Sequence, residues 1–226
     1  FGGNHGDEYE GPTALMKLAR RLTPDQIAGR VIIVPALNPP AVDAGTRHSP
    51  IDGRNMNRAF PGHRDEDSVT GIIAHYMAHE IIPKADLVVD IHSGAVTGHW
   101  IPCVNMHHVP DDEQMSRMIE TGKVWGTPYV FIYRDIAGSG LLPGYAESLG
   151  KITLGTEIGG AAQYGTEMVA ITENGVDNVL RHVGILDGEI TKPASPPQVV
   201  AADRHEDYVM APVGGVFDPF VDLGSH

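Results

Sequence analysis

The stretch that decides the fold of this 226-residue chain is DLVVDIHSG, at residues 86–94. Its short apolar run, rich in β-branched side chains, is typical of a buried strand. Further strand patterns alternate with patterns of helical period along the chain. The strand patterns lie at residues 30–35, 100–104, 129–133 and 151–157, and the helical ones at 11–22, 70–82, 111–124, 140–149 and 166–183. This alternation predicts an α/β fold with a mixed, mostly parallel sheet and helices on both faces.

The domain organisation follows from where this alternation stops. We predict a catalytic domain at residues 1–187, a Pro-rich linker at 188–197 and the start of a small C-terminal β domain at 198–226. Short strands are expected in that last part at residues 198–202, 208–211 and 215–220. The chain begins inside a strand-to-helix motif and stops before a second sheet could close, so we expect the natural protein to extend beyond both ends.

Composition limits the partners. A formal charge of -13 argues against nucleic acid and anionic membranes, because both require a surplus of Lys and Arg. No apolar run reaches the 18 or more residues that a membrane span needs. The single Cys103 excludes an intramolecular disulfide framework, and it favours a reducing, cytoplasmic compartment. The expected partner is therefore a small molecule, and a homo-oligomer is left open.

Three places in the sequence bring ligand-type side chains to strand ends. His5 and Glu8 stand three apart in a glycine-rich turn before the helix at 11–22, His92 follows the strand at 86–91, and Glu157 ends the strand at 151–157. Ligands collect outside the carboxyl ends of strands in such sheets, and neighbouring strands lie about 5 Å apart. We therefore expect these side chains to meet in space.

Two imidazoles and one carboxylate form a ligand set for catalytic zinc that leaves one position open. With His5, Glu8 and His92 as ligands, Glu157 is the spare carboxylate, suited to take a proton from attacking water and return it to a leaving amine. Asp90 and Asp7 are candidates to orient the imidazoles. The simpler readings are a solvated His92 and a Glu157 that caps a turn.

The polar connection at residues 36–68 contains a second cluster of interest. Arg47, Arg54 and Arg58 occur there with Asn55 and Asn57, in an otherwise acidic protein. Guanidinium groups suit bidentate binding of a carboxylate, although an ordinary surface loop with solvated arginines has the same composition.

Other residues with ligand-type side chains receive structural readings. His75 and His79 are expected on a polar helix face, His107 and His108 at the surface, and Cys103 in the core.

Four motifs together resemble the succinylglutamate desuccinylase/aspartoacylase family, a branch of the zinc carboxypeptidase-like fold. They are GNHGDE at residues 3–8, NMNRAFPG at 55–62, DIHSG at 90–94 and TEIGG at 156–160, and the resemblance runs to about residue 186. It implies one zinc per chain on His5, Glu8 and His92, with Glu157 as general base and acid. It also implies Asn57 and Arg58 on the substrate carboxylate, and Arg47 near the scissile carbonyl or the substrate.

Within that family, residues 3–12 and 49–53 are most similar to the ectoine-degradation branch, which deacetylates N-α-acetyl-L-2,4-diaminobutyrate. The spacing from Arg47 to Asn57 is longer than in aspartoacylases. Glu147 also stands where aspartoacylases have an arginine, which suggests the hypothesis that Glu147 binds a cationic substrate side chain. The resemblance thus implies a zinc-dependent hydrolase of small N-acyl amino acids. Alternatives are succinylglutamate desuccinylase or aspartoacylase activity, and a metallocarboxypeptidase acting on peptides.

Overall fold

A computed structural model describes residues 1–134 and 140–225 and contains one five-stranded sheet in that part of the chain. The spatial order is β1-β4-β2-β3-β5. The strands are β1 (Leu87–His92), β2 (Cys103–His107), β3 (Tyr129–Tyr133), β4 (Ile152–Glu157) and β5 (Gln198–Ala202). Three neighbouring pairs are parallel, and only β2 and β4 run antiparallel. The predicted mixed, mostly parallel sheet is therefore confirmed.

Six α-helices fill the connections in the same described residues. They are α1 (Glu10–Arg21), α2 (Pro39–Ala44), α3 (Val69–Tyr76), α4 (Asp112–Lys123), α5 (Leu142–Ser148) and α6 (Thr166–His182). The helix predicted at 70–82 is shorter than expected, because a π-helical turn (Met77–Ile81) and a 3₁₀ turn (Ile82–Lys84) continue it before β1. Among these helices, none combines the length and apolar character needed to cross a membrane.

Two hydrophobic cores lie on the two faces of the sheet. Successive strand residues point to opposite faces, and β1 shows this alternation: Leu87 and Val89 pack with Leu15, Leu18 and Val179 from α1 and α6. Val88 packs instead with Ala74 and Leu142 from α3 and α5. The carboxyl ends of β1 and β4 remain open beyond both cores, which leaves room for polar side chains there.

The prediction of a strand at residues 30–35 is wrong. Residues 31–34 form no strand, and their only backbone hydrogen bond in the described chain comes from Gly2, whose N–H donates to the carbonyl of Val34 at 2.9 Å. A groove of about 1010 Å³ separates residues 29–33 from β1. Because the backbone groups across this groove do not meet, the β-branched run forms no ladder.

The C-terminal segment differs in part from the predicted pattern. Strand β5 forms where a strand is expected, but it joins the main sheet in parallel register beside β3. Residues 208–211 and 215–220 form no strand within the described part of the chain, and Val209, Val216 and Phe220 are nearly fully exposed. Short apolar runs of this kind form strands only when a partner strand supplies hydrogen bonds. The proposed boundary between a catalytic and a C-terminal domain stays a prediction.

Candidate metal centre and active site

The glycine-rich turn at residues 2–8 brings His5 and Glu8 to the carboxyl end of β1. Gly3 has a φ of +67°, a backbone conformation that favours glycine. A Cβ built on Gly6 would lie 1.9 Å from the carbonyl oxygen of Ala41, so only glycine allows this turn to lie against α2. The Ser93 N–H, directly after β1, donates to Glu8 Oε2 at 3.2 Å. The sequence motif is thus a turn held by close backbone packing.

His5, Glu8 and His92 lie together, as the sequence predicts. One ligand atom from each residue lies within 4.8 Å of the others, and all three residues are buried. His5 Nδ1 is 2.6 Å from Glu8 Oε1, and His92 Nδ1 is 2.7 Å from Glu8 Oε2. This is the only such group of three or more potential ligands among the residues that the structure describes. The Glu8 carboxylate therefore lies between two imidazoles that face it with the same nitrogen.

The far nitrogens of both imidazoles have acceptors that fix their orientation. His92 Nε2 lies 2.9 Å from Asp90 Oδ2, which also accepts from Asn4 Nδ2 at 3.0 Å. His5 Nε2 lies 3.1 Å from Asn55 Oδ1. Partners of this kind set the tautomer of a ligating imidazole. Asp90 has the position expected of such a residue, whereas Asp7 makes no hydrogen bond to either imidazole in the described chain.

Sequence reasoning missed this role for Asn4 and Asn55. Both belong to the quoted motifs, but a motif does not state which side chain its amide will reach. The available signal was their proximity in sequence to ligand-type residues, Asn4 beside His5 and Asn55 in the arginine-containing loop.

The donor set fits a divalent metal ion. If His92 Nε2 donates to Asp90 and His5 Nε2 donates to Asn55, the Nδ1 atom of each neutral imidazole carries a lone pair. Both Nδ1 atoms face the Glu8 carboxylate, whose oxygens also carry only lone pairs. A positive charge between them, a proton or a metal ion, is needed to make such an arrangement favourable. Two imidazoles and a carboxylate also match the ligands of catalytic zinc.

The electrostatics of the buried groups agree with that requirement. Burial alone would raise the pKa of Glu8, but the charge of His92 and hydrogen bonds from both imidazoles lower it to about 2. Burial would lower the pKa of His92, but Asp90 and Glu8 raise it well above its usual value. Protonated His92 thus supplies, without a metal, the positive charge that these carboxylates require.

Glu157 lies beside this cluster because β4 pairs with β1. Glu157 is the register partner of His92, and neighbouring strands are about 5 Å apart. Its Oε2 is shielded from solvent and has no hydrogen-bond partner among residues 1–134 and 140–225. Burial raises the pKa of Glu157 to about 8; Glu8 and Asp90 add to the rise, and His92 and Arg47 oppose it. A carboxylate with that pKa can both accept and release a proton near neutral pH.

The loop at residues 47–58 approaches the cluster from the side of Glu8. Arg47 Nη1 lies 3.3 Å from Glu8 Oε1, and Asn57 Nδ2 lies 3.4 Å from His92 Nε2. Asn57 Oδ1 accepts from the Leu142 N–H at 3.0 Å, which fixes its amide against α5. Arg58 is exposed, and its Nη1 donates to the Asn57 carbonyl at 2.6 Å. The Arg47 guanidinium group and the Asn57 amide therefore border the buried charges, whereas Arg58 contacts the Asn57 backbone.

The other histidine predictions have mixed outcomes. His107 was expected at the surface, and this is wrong, since it is buried. Its Nδ1 lies 2.6 Å from Glu147 Oε2, and its N–H donates to Glu147 Oε1 at 3.3 Å. His108 and His79 are exposed as expected, and Cys103 is buried in the core.

The same contact overturns the hypothesis that Glu147 binds the substrate. Cys103 is the register partner of Glu157 in the antiparallel β2/β4 pair. His107 lies four residues further along β2, at roughly 13 Å for about 3.3 Å per residue. Glu147 therefore contacts the opposite end of the sheet, and its carboxylate oxygens are already bonded to His107.

Comparison with known proteins places this geometry in a family. The succinylglutamate desuccinylase/aspartoacylase catalytic domain matches residues 1–183. The N-alpha-acetyl-L-2,4-diaminobutyric acid deacetylase of Halomonas elongata is 44% identical over 224 residues, which are 99% of this chain and 65% of that protein.

Two solved structures share the fold. A succinylglutamate desuccinylase/aspartoacylase from Rhodobacter sphaeroides superposes with a TM-score of 0.91 at 36% identity, over 97% of this chain and 66% of that one. The product-bound ectoine utilization protein EutE (DoeB) from Ruegeria pomeroyi gives 0.85 at 38% identity, over 91% and 62%. The chain thus spans about two thirds of the length of these relatives. The match over residues 1–183, with the four motifs at one end of the sheet, shows that this chain belongs to the succinylglutamate desuccinylase/aspartoacylase family.

Proposed function

We propose that this protein hydrolyses the amide bond of a small N-acyl amino acid with the help of one zinc ion. The observation that carries the proposal is the buried His5–Glu8–His92 group beside Glu157 on the adjacent strand, whose Oε2 has no hydrogen-bond partner among the described residues. A binding protein would not need a spare carboxylate with a raised pKa beside a metal site.

His5, Glu8 and His92 would hold the zinc ion, which supplies Lewis-acid polarisation of the scissile carbonyl. Asp90 and Asn55 keep the two imidazoles in the ligating tautomer. Glu157 would accept a proton from the attacking water and return it to the leaving amine, a role that the rise of its pKa on burial supports. The buried setting strengthens these charge interactions because little water screens them.

The substrate carboxylate is assigned to the loop that borders Glu8. Asn57 and Arg58 would bind the α-carboxylate, with the Asn57 amide held by Leu142 and the exposed Arg58 guanidinium group donating to the Asn57 carbonyl. Arg47, 3.3 Å from Glu8, would lie near the scissile carbonyl. Guanidinium groups suit a planar carboxylate, which both an acyl amino acid and the C-terminus of a peptide provide, so hydrolysis of peptides has to be tested directly.

Among acyl amino acids we propose N-α-acetyl-L-2,4-diaminobutyrate as the substrate. The support is the similarity to the Halomonas elongata deacetylase and to the EutE (DoeB) structure.

The test is a panel of amides on the zinc-loaded protein. It contains N-α-acetyl-2,4-diaminobutyrate, N-acetylaspartate, N-succinylglutamate and a peptide with a free C-terminus, each measured as kcat/KM. The diaminobutyrate derivative is expected to be hydrolysed fastest, and a chelator should abolish its turnover. A preference for N-acetylaspartate or N-succinylglutamate would replace the substrate assignment, and a preference for the peptide would establish the metallocarboxypeptidase alternative.

A further inference from the structure

Asp52 lies in the loop at residues 47–58, called the substrate loop here. Its side-chain hydrogen bonds in the described chain go to Arg54, Ser68 and Thr70, and none goes to a metal ligand. Asp52 Oδ2 accepts hydrogen bonds from Ser68 Oγ and the Thr70 N–H, both at 2.8 Å. Its Oδ1 accepts from Thr70 Oγ1 at 2.9 Å and from the Arg54 N–H at 3.2 Å. Four donors thus converge on one carboxylate, which bridges the loop to the first turn of α3.

The protein environment keeps Asp52 charged. Burial opposes ionisation, but hydrogen bonds from Thr70, Ser68 and Arg54 hold the pKa of Asp52 well below its usual range. Ser68 is also the N-cap of α3, since its Oγ accepts from the Gly71 N–H at 3.1 Å. The contact therefore joins a negative charge to a helix N-terminus, where anions are favoured.

A second tie reinforces the same bridge. Arg54 Nη1 donates to Glu66 Oε2 at 2.6 Å, and the Gly53 N–H donates to the Ser49 carbonyl at 2.8 Å. Residues 49–54 are therefore held at one edge by α3 and the segment before it. Directly after this held turn come Asn55, which contacts His5, and then Asn57 and Arg58.

We propose that Asp52 is a positioning residue that clamps the substrate loop to α3 and so sets the place of the carboxylate-binding groups Asn57 and Arg58. Asp52 itself touches neither substrate nor metal ligand. This inference rests on the proposed function only where it names the substrate carboxylate as the bound group. The hydrogen bonds from Asp52 to Ser68 and Thr70 are present without any substrate. Small displacements of binding groups can cost large factors in affinity or rate.

The decisive variant is Asp52→Asn, because the amide cannot replace the carboxylate. Each oxygen of Asp52 accepts from a backbone N–H, of Thr70 or of Arg54, so the amide nitrogen would oppose a donor in either orientation. Asp65→Asn is the matched control, since Asp65 is exposed in the neighbouring segment and its carboxylate makes no hydrogen bond in the described chain. Thr70→Val removes only the side-chain donor and should act in the same direction, more weakly.

The first measurement is amide hydrogen exchange of the zinc-loaded protein. Asp52→Asn should speed exchange at residues 53–58 and leave β1 and α6 unchanged, whereas Asp65→Asn should change neither. Exchange at 53–58 that matches the wild type would overturn the clamp. This outcome does not depend on any substrate.

The second measurement is ligand affinity in a Glu157→Gln background, where turnover is expected to be slow enough for binding to reach equilibrium. The Kd of an N-acetyl amino acid should rise about tenfold with Asp52→Asn, while that of the corresponding N-acetyl amine, which lacks the carboxylate, should change less than about twofold. Equal changes for both ligands would overturn the assigned role. If the parent protein binds neither ligand, the proposed function fails and the role of Asp52 in carboxylate binding fails with it, while the exchange result still decides the clamp.

Discussion

In the described part of the chain, buried imidazoles meet carboxylates in two clusters, at opposite ends of the sheet. At one end, a single imidazole meets a single carboxylate, with His107 Nδ1 lying 2.6 Å from Glu147 Oε2. At the other end, Glu8 is shared by His5 and His92 at 2.6 and 2.7 Å, with Asp90 and Glu157 close by. The distances are alike, but the balance of charge differs.

That difference separates a structural pair from a reactive site. Glu147 directs both of its oxygens to a single residue, His107. At the other end, the three carboxylates of Glu8, Asp90 and Glu157 lie near two imidazoles, and Glu157 Oε2 has no partner among the described residues. Such a surplus of carboxylates is costly unless a cation or a proton binds, and burial accordingly raises the pKa of Glu157. Sites with this surplus are candidates for metal binding and proton transfer, whereas a matched pair contributes to packing.

The largest effect expected is from His92→Ala, with His107→Ala as its counterpart. Loss of His92 removes one of three ligands, so bound zinc and amide hydrolysis should both disappear. The rise in Tm on adding zinc, which follows from binding to the folded state alone, should disappear too. His107→Ala should keep all three. Metal analysis and thermal unfolding check this, and stoichiometric zinc in His92→Ala would contradict the ligand assignment.

The next effect separates metal binding from chemistry. Glu157→Gln should retain zinc but lose about 10²–10⁴-fold in kcat, the usual share of a general base. Glu157 must be deprotonated to accept a proton, so kcat/KM should fall as the pH is lowered through its pKa. Bound zinc lowers that pKa below the value of about 8 found without a cation. A fully active Glu157→Gln protein would end the proposed mechanism.

The smallest effect concerns the matched pair. Glu147→Gln keeps the shape of the side chain but leaves one of the two His107 donors without an acceptor, at a cost of about 1–3 kcal/mol in the free energy of unfolding. Zinc content and kcat/KM should stay at wild-type levels. Denaturant unfolding measures the cost, with the exposed Glu113→Gln as the control. A large loss of kcat/KM without loss of stability would mean that this end of the sheet takes part in the reaction.

Most of the architecture could be predicted from local patterns. The periodicity of apolar residues located β1, β3, β4, α1, α4 and α6 to within one or two residues, because burial on one face imposes a period on the sequence. The strand predicted over residues 31–34 does not form, because a strand also requires a neighbouring strand to hydrogen-bond with, and composition does not reveal whether one is present. The same limit applies to residues 208–211 and 215–220.

The candidate site divides in a similar way. The sequence by itself determined which residue types are present at the ends of β1 and β4, and this was enough to bring His5, Glu8, His92 and Glu157 together in the prediction. The tertiary structure alone decided which side chains contact each other. It placed Asn55 on His5, and it turned Glu147 away from the site towards His107.

The physical reason is the range of each signal. Strand and helix patterns arise from neighbours a few positions apart, and every such pattern is written in the sequence itself. Contacts such as Asn55–His5, 50 positions apart, depend on strand order and register, and a shift of one residue would reverse the face of every side chain. The sequence thus determined the chemistry available, and the register between β1 and β4 decided that His92 and Glu157 stand side by side.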